Sequence, residues 1–134
     1  MILVVDANSV ISALIKNNWA RRVIVSDTFD LVSPEFLTEE LEKNNAYMIK
    51  KTGMPKGDLN LLLLLLLKHI HIIPKEEYEG RMTEAESLME KDLKDVPYVA
   101  VYLALKCDGI WTNDKHYDKN ELRVFKTESL LKLI

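Results

Sequence analysis

Four acidic residues of this 134-residue chain have surroundings that would let a carboxylate do chemistry. Asp6 directly follows a short apolar β-branched run, and Asp114 lies two residues after Thr112, at the end of another such run. Asp95 precedes a nearly all-apolar segment, where its side chain could equally serve as a helix cap. The fourth residue, Glu40, lies within a predicted helix. We treat these four carboxylates as the candidate catalytic and metal-binding set.

Helical geometry distinguishes Glu40 from the acidic residues beside it. With Phe36 as zero and about 100° per residue, Glu40 falls near 40° and Asn44 near 80°, inside the apolar stripe. On the same scale, Glu39 falls at roughly 300° and Glu42 at roughly 240°, on the solvent side. A glutamate on a buried face is costly unless it is paired or binds a metal. The alternative is that Glu40 lies at the stripe's edge and reaches solvent.

If the fold brings these four carboxylates together, they cannot all stay ionised without a cation. Ligand sets made only of oxygen suit Mg²⁺ or Mn²⁺, and such ions can activate water and stabilise the leaving oxygen in phosphodiester hydrolysis. Asp92 lies one turn before Asp95, and it either supports this set from outside or faces solvent.

The elements that must position these residues alternate between strands and helices. Such alternation predicts a three-layer α/β/α fold with a central, mostly parallel sheet of about five strands, in one domain covering residues 1–134. A helix is expected to start at Ser33-Pro34, with Ser as its N-cap, and to run to Gly53, followed by a leucine-rich helix. A further helix is expected over residues 75–91 and a buried one over 96–107. The predicted strands are residues 2–5, 29–32, 69–73, 110–112 and 122–125. In such folds ligands bind at the carboxyl ends of the strands.

Composition excludes several classes of protein. Hydrophobic residues make up 48% and charged residues 29%, with four Gly and four Pro, so the chain is neither disordered nor collagen-like. The only cysteine, Cys107, reads as a small buried hydrophobe, and a cytoplasmic location is expected because no signal sequence or disulfide framework is evident. The seven leucines of 61–67 are too few to cross a membrane, and they cover either the core or a dimer interface.

Net charge needs care in judging a nucleic-acid partner. The formal charge is −3, from 18 basic and 21 acidic residues, and nucleic-acid binding usually leaves a basic footprint. If the four candidate carboxylates bind metal, 17 acidic residues remain against the 18 basic ones. Substrate binding would then depend on metal ions, a few lysines or a second subunit.

Four segments together resemble the PIN-domain family of metal-dependent ribonucleases, which includes the VapC-type toxins. The segments are Val4-Val5-Asp6-Ala7-Asn8-Ser9-Val10, Ser33-Pro34-Glu35-Phe36-Leu37-Thr38-Glu39-Glu40-Leu41, Asp95-Val96-Pro97-Tyr98-Val99-Ala100 and Trp111-Thr112-Asn113-Asp114-Lys115. The resemblance implies endonucleolytic cleavage of RNA, a homodimer and, for a toxin, an antitoxin protein as partner. By this resemblance Asp6, Glu40, Asp95 and Asp114 form the family's acidic constellation. It also implies that Asn8 or Ser9 supports the first carboxylate and that Thr112 steadies the loop of the fourth.

One position departs from that pattern. Family members often have another acid two places after the fourth one, where this chain has His116. We interpret His116 as a surface histidine, with contact to substrate as the alternative. Two lysines near the expected site, Lys16 and Lys115, are candidates for holding a backbone phosphate.

Two other functions remain open. Asp6-Ala7-Asn8 resembles the first motif of haloacid-dehalogenase-type phosphatases, in which Asp6 would be the nucleophile, but Asn8 cannot serve as the general acid/base. The chain could also be a catalytically inactive PIN-like scaffold or an RNA-binding module. Substitution of Glu40 or Asp95 would separate these hypotheses from a nuclease.

Overall fold

Five short parallel strands form the centre of the molecule, which we describe from a computed structural model. The structure describes residues 1–15, 18–90, 92–119 and 122–134, with only the backbone of 118 and 119. The strand order is β3-β2-β1-β4-β5 and every pair of neighbours is parallel. The strands are β1 (Ile2–Val5), β2 (Asp30–Pro34), β3 (Ile70–Ile73), β4 (Gly109–Trp111) and β5 (Val124–Phe125).

Eight α-helices within the described ranges connect and cover these strands. The sheet and helices form the expected three-layer α/β/α arrangement. The helices are α1 (Ala7–Ile15), α2 (Asn18–Val25), α3 (Phe36–Lys43), α4 (Asn45–Thr52), α5 (Lys56–Leu67), α6 (Met82–Met89), α7 (Val96–Ala104) and α8 (Thr127–Leu131).

The sheet extends from β1 in two opposite directions, and this order creates a crevice at the carboxyl ends of β1 and β4. The first three strands extend the sheet to one side, and the chain then crosses back through α6 and α7 to place β4 beside β1. Right-handed crossovers put α1–α5 on one face and α6–α7 on the other. The switch in direction lies between β1 and β4, where parallel α/β folds bind their ligands.

The buried strands and α7 make up the core. Leu3, Val4 and Val5 are fully buried, and α7 packs against β1, β2 and β4. Trp111 of β4 is also fully buried, and its indole Nε1 donates to Oγ1 of Thr127 at 2.9 Å. Because β1 and β4 are sandwiched between helix layers, the carboxyl ends of these strands are held rigidly.

The start of the third helix differs from the sequence prediction. Ser33 and Pro34 are the last two residues of β2, and α3 begins at Phe36. The hydroxyl of Ser33 donates to the carbonyl oxygen of Val5 at 2.8 Å, so it joins two strands instead of capping a helix. Pairing with a neighbouring strand therefore outweighed the local Ser-Pro signal.

Two predicted helices are also shorter than expected. The helix from Phe36 divides at Asn44, where the backbone leaves helical geometry and Nδ2 donates to the carbonyl oxygen of Glu40 at 2.8 Å. Two 3₁₀ turns replace the first part of the helix expected over 75–91. Between them, Tyr78 has a φ of −126° and is buried.

Helix α5 is only partly covered. Leu59 and Leu66 are buried, whereas Leu61, Leu64 and Leu65 are 59%, 61% and 48% exposed. Burial of the whole leucine run in the core is therefore wrong. Among the described residues, no helix is long and apolar enough to cross a membrane.

Candidate functional site

The first candidate carboxylate lies at the switch point of the sheet. Asp6 follows β1 directly, and its backbone N–H donates to the carbonyl oxygen of Trp111 at the end of β4, at 3.5 Å. Asp114 lies in the loop that follows β4. The adjacent strands β1 and β4 thus bring these two acids to the same edge of the sheet.

Asp6 is held at both carboxylate oxygens. Its Oδ1 accepts from the backbone N–H of Ser9 at 2.9 Å, and its Oδ2 accepts a short hydrogen bond from the Thr112 hydroxyl. The Ser9 hydroxyl donates to the carbonyl oxygen of Trp111 at 3.2 Å. Ser9 is thus the residue that contacts Asp6, whereas Asn8 is exposed.

Thr112 connects the first and fourth candidate acids. Its hydroxyl donates to Asp6 and accepts from the backbone N–H of Asp114 at 3.0 Å. The side chain of Asp114 accepts in turn from the backbone N–H of His116 at 3.0 Å. One buried hydroxyl therefore fixes the loop after β4 relative to the end of β1.

Burial changes the acidity of Asp6. The residue is 3% exposed, and desolvation raises its pKa from 3.8 to about 6, although the bonds from Thr112 and Ser9 lower it. The nearby charge of Asp95 raises it further. Burial thus disfavours the ionised form of Asp6, and a cation bound nearby would stabilise that form.

Glu40 enters the site from the opposite side of the crevice. Its Oε1 accepts from the hydroxyl of Tyr98 of α7 at 2.5 Å. The ring of Tyr98 is buried and packs edge-on against Phe36, with centroids 6.2 Å apart. The neighbours Glu39 and Glu42 are exposed, as the helical angles predicted.

Tyr98 also shows how closely the acids converge. Burial raises its pKa most, followed by the hydrogen bond to Glu40, and the charges of Asp6 and Asp95 act in the same direction. Tyr117 is also buried, and its pKa is raised first by burial and then by the negative charges of Asp6 and Asp95. Asp6 and Asp95 thus lie near both buried tyrosines, and Glu40 contacts Tyr98.

Asp95 occupies the N-cap position of α7 but makes no capping hydrogen bond with its side chain. Among the described residues its buried Oδ2 has no hydrogen bond of good geometry, although the nearby Tyr117 hydroxyl interacts with the carboxylate and lowers its pKa. Burial is the largest cause that raises the pKa of Asp95, and the charge of Asp114 adds to it. The prediction that the Asp95 side chain caps the helix is therefore wrong, and its Oδ2 lies buried 3.7 Å from Nδ1 of His116 without a well-aligned hydrogen bond among the described residues.

His116 lies beside the acids, although 44% of its side chain is exposed. Its Nδ1 is 3.2 Å from Oδ1 of Asp114, 3.6 Å from Oδ1 of Asp92 and 3.7 Å from Oδ2 of Asp95. Within the described part of the chain, ligand atoms of Asp92, Asp95 and His116 form a group in which all lie within 4.8 Å of one another. Asp92 therefore adjoins Asp95 and does not simply face solvent.

Of the two lysines predicted to hold a backbone phosphate, the structure describes only Lys115. Lys115 is exposed and follows Asp114 directly in the chain. Lys16 lies outside the described residues.

Sequence reasoning missed three contributors to the site: Tyr98, Tyr117 and the cluster position of His116. Tyr98 lies in an apolar run of the sequence and Tyr117 in a polar, charged one, and neither pattern indicates that the tyrosine contacts the acids. For His116, its spacing two residues after Asp114 was a usable signal, because that spacing suits a turn in which the acid accepts from the backbone of the second residue.

These residues fit a divalent cation. Among the described residues, a buried oxygen of Asp95 has no well-aligned hydrogen bond, and burial raises the pKa of Asp6. A hard cation, which takes oxygen ligands, would stabilise the ionised form of these carboxylates. Of the four predicted ligands, only Asp95 belongs to the group of described residues whose ligand atoms lie within 4.8 Å of one another, together with Asp92 and His116. Asp6, Glu40 and Asp114 remain predicted ligands.

Comparison with known proteins gives one family. The family model of the PIN domain matches residues 4–132, which is nearly the whole chain. A comparison with curated proteins gave no match.

Proposed function

Because this chain belongs to the PIN domain family, a family of metal-dependent nucleases, we propose that it is an endoribonuclease that hydrolyses RNA phosphodiester bonds with water. The observation that carries the proposal is the buried Oδ2 of Asp95, which has no well-aligned hydrogen bond among the described residues and lies close to the charge of Asp114. Such an oxygen is costly in the folded state unless a cation binds it.

The proposed roles follow the positions of the four acids. Asp6, Glu40, Asp95 and Asp114 hold Mg²⁺ or Mn²⁺, and a bound ion supplies an activated water and charge stabilisation for the leaving oxygen. Ser9 and Thr112 fix both oxygens of Asp6, and Tyr98 fixes Oε1 of Glu40. These contacts keep the carboxylates in place without rearrangement when substrate binds.

RNA is the proposed substrate, bound chiefly through the metal site. The exposed Lys115 is placed to contact a phosphate next to Asp114, and we keep Lys16 as a second candidate contact. With a net charge of −3, the chain has little general attraction for nucleic acid, so binding should depend strongly on the divalent ion.

The direct test is to incubate the purified protein with several RNAs and single-stranded DNA, with Mn²⁺, Mg²⁺ or EDTA. We expect metal-dependent internal cleavage of RNA that falls at least about a hundredfold in Glu40→Gln and Asp95→Asn. Glu39→Gln and Asp58→Asn are matched controls, because they remove exposed carboxylates on α3 and α5. A folded protein that cleaves nothing with either metal would instead be the scaffold or RNA-binding module.

A toxin role is a narrower proposal within this function. It rests on the resemblance to VapC-type toxins and requires an antitoxin protein that neutralises the nuclease. Expression of the chain should arrest growth, Asp95→Asn should not, and a neighbouring gene product should restore growth. Arrest by both forms would contradict a toxic nuclease.

We also propose that the chain forms a homodimer through α5. Leu61, Leu64 and Leu65 lie within about 100° of one another on this helix, and roughly half or more of each is exposed. A second copy presents the same leucines, so two such faces can cover each other. Light scattering after gel filtration should give twice the 15.5 kDa chain mass, and Leu64→Lys should give the monomer.

The cellular setting is part of the same proposal. We place this protein in the cytoplasm as one domain over residues 1–134, in keeping with its one buried free cysteine. Limited proteolysis should leave a single resistant core.

A further inference from the structure

His116 offers a nitrogen atom where the site otherwise offers oxygen. Its Nδ1 lies within 3.7 Å of carboxylate oxygens from Asp92, Asp95 and Asp114, and this buried atom has no well-aligned hydrogen bond within the described part of the chain. The side chain as a whole is 44% exposed, so the exposed area belongs to the other ring atoms. The buried nitrogen faces the acids, and the far edge of the ring faces solvent.

The loop after β4 holds the imidazole of His116 in this orientation through contacts of the residues before and after it. The backbone N–H of His116 donates to Oδ1 of Asp114, and the backbone N–H of Asp114 donates to Thr112, which also holds Asp6. Tyr117, the next residue, is fully buried. The imidazole is therefore carried by a short turn tied to the centre of the sheet.

The spacing suits a single ion. Ligands at about 2.0–2.2 Å from an ion can be at most about 4.4 Å apart. The ligand atoms of Asp92, Asp95 and His116 all lie within 4.8 Å of one another, so a shift of a few tenths of an ångström would bring all three to one ion. A second observation points the same way, because the buried Oδ2 of Asp95 has no well-aligned hydrogen bond among the described residues.

We propose that His116 is a metal ligand, which together with Asp92 and Asp95 makes the site select a first-row transition-metal ion over Mg²⁺. This inference rests on the proposed metal site. Mg²⁺ takes oxygen ligands and keeps several waters, whereas imidazole nitrogen suits the transition metals, whose affinity rises from Mn²⁺ through Co²⁺ to Ni²⁺.

If His116 is not a metal ligand, its removal should change the affinity for divalent ions in the opposite direction. If His116 were only a positive partner that neutralises the three carboxylates, it would compete with a cation for the same oxygens. Its removal would then raise the affinity for every divalent ion. Removal of a ligand instead lowers the affinity for nitrogen-preferring ions selectively.

The test is calorimetric titration of the metal-free full-length protein with Co²⁺ and with Mg²⁺. In His116→Gln we expect the Co²⁺ affinity to fall about tenfold or more, and the Mg²⁺ affinity to change less than about twofold. His116→Asp, which offers an oxygen ligand in place of nitrogen, should bind Mg²⁺ at least as tightly as the wild type without the wild-type preference for Co²⁺. His71→Gln, which removes an exposed histidine of β3, is the matched control and should bind both ions like the wild type.

A spectroscopic readout identifies the ligand directly. Co²⁺ bound to an imidazole gives a strongly shifted histidine resonance in the proton NMR spectrum, which should be present in the wild type and His71→Gln and absent in His116→Gln. Unchanged Co²⁺ affinity in His116→Gln, a rise for both ions, or the same shifted resonance would each overturn the proposal.

RNA cleavage measured in parallel separates this inference from the function. If His116→Gln binds Co²⁺ like the wild type while Mg²⁺-dependent cleavage persists, only the role of His116 fails. If Co²⁺ binding depends on His116 but no RNA is cleaved with any ion, the site binds metal and the nuclease function fails.

Discussion

Tyr98 donates its phenolic hydrogen to Oε1 of Glu40 at 2.5 Å, from a helix on one face of the sheet to a helix on the other. This contact connects α7 to α3 across the crevice. It determines which way a half-buried glutamate points, and it involves a residue that no polar pattern in the sequence distinguishes.

Loss of the Tyr98 hydroxyl should affect Glu40 more than the fold. In Tyr98→Phe the ring still packs against Phe36, but a hydrogen bond to a charged group is lost, so we expect a free energy of unfolding lower by about 1.5–3 kcal/mol. Because Glu40 is then free to rotate, RNA cleavage should fall about tenfold or more at equal metal concentration.

Urea unfolding and initial cleavage rates measure these two effects. Tyr102→Phe is the matched control, since Tyr102 lies one turn later on α7 and its hydroxyl accepts only a 3.5 Å contact from the backbone of Arg123. Equal cleavage by Tyr98→Phe and Tyr102→Phe would show that Glu40 does not need this bond.

Thr112 should be sensitive to loss of its hydroxyl and tolerant of loss of its methyl group. Thr112→Val keeps the shape but leaves an oxygen of Asp6 and the backbone N–H of Asp114 unpaired. We expect a loss of about 1–3 kcal/mol in the free energy of unfolding, together with weaker binding of Mn²⁺. Thr112→Ser retains the hydroxyl and should restore metal binding. If the valine variant bound Mn²⁺ normally, the link between the two acids would have no role in the site.

The metal-free protein should lose stability as the pH rises towards neutral. The pKa of Asp6 is 3.8 unperturbed and about 6 in the folded state, so the folded state binds this proton more tightly. The stabilisation is complete below the unfolded pKa and is lost as the pH rises through about 6. Its size is on the order of 3 kcal/mol, and Asp95, whose pKa is also raised, acts in the same direction.

Urea unfolding in EDTA from pH 4 to pH 8 measures this effect. The wild type should lose stability relative to Asp6→Asn as the pH rises, because the asparagine cannot ionise. Parallel profiles for the two proteins would contradict a raised pKa for Asp6. Added Mn²⁺ should recover stability in the wild type at pH 7.5 and have little effect on Asp6→Asn.

Gly109 should tolerate no side chain, because β5 lies too close to it. A Cβ at Gly109 would collide with the ring of Phe125 and lie 3.0 Å from the carbonyl oxygen of Arg123. We expect Gly109→Ala to lower the free energy of unfolding by about 1–3 kcal/mol. Gly80→Ala is the control, since nothing lies within 4 Å of the added Cβ. Equal thermal unfolding of the two variants would show that β5 can move away without cost.

The sequence alone determined the main architecture and the edge at which to look for a site. Short apolar β-branched runs separated by helical segments indicate buried parallel strands, and Asp6 and Asp114 end two of those runs because the chain must become polar where it leaves the sheet. The helical period of α3 also separated Glu40 from the exposed Glu39 and Glu42. These features depend on local spacing, which the sequence expresses directly.

Only the tertiary structure decided what each polar side chain contacts. Ser33 had a good local role as a helix cap, yet its hydroxyl bonds to β1, and Asp95 occupies a cap position without capping. The sequence around His116 is typical of a surface residue. In the structure, the loop after β4 places its Nδ1 beside the carboxylates of Asp92, Asp95 and Asp114. Such contacts join residues far apart in the chain, and they depend on the relative position of packed elements, which local propensity does not encode.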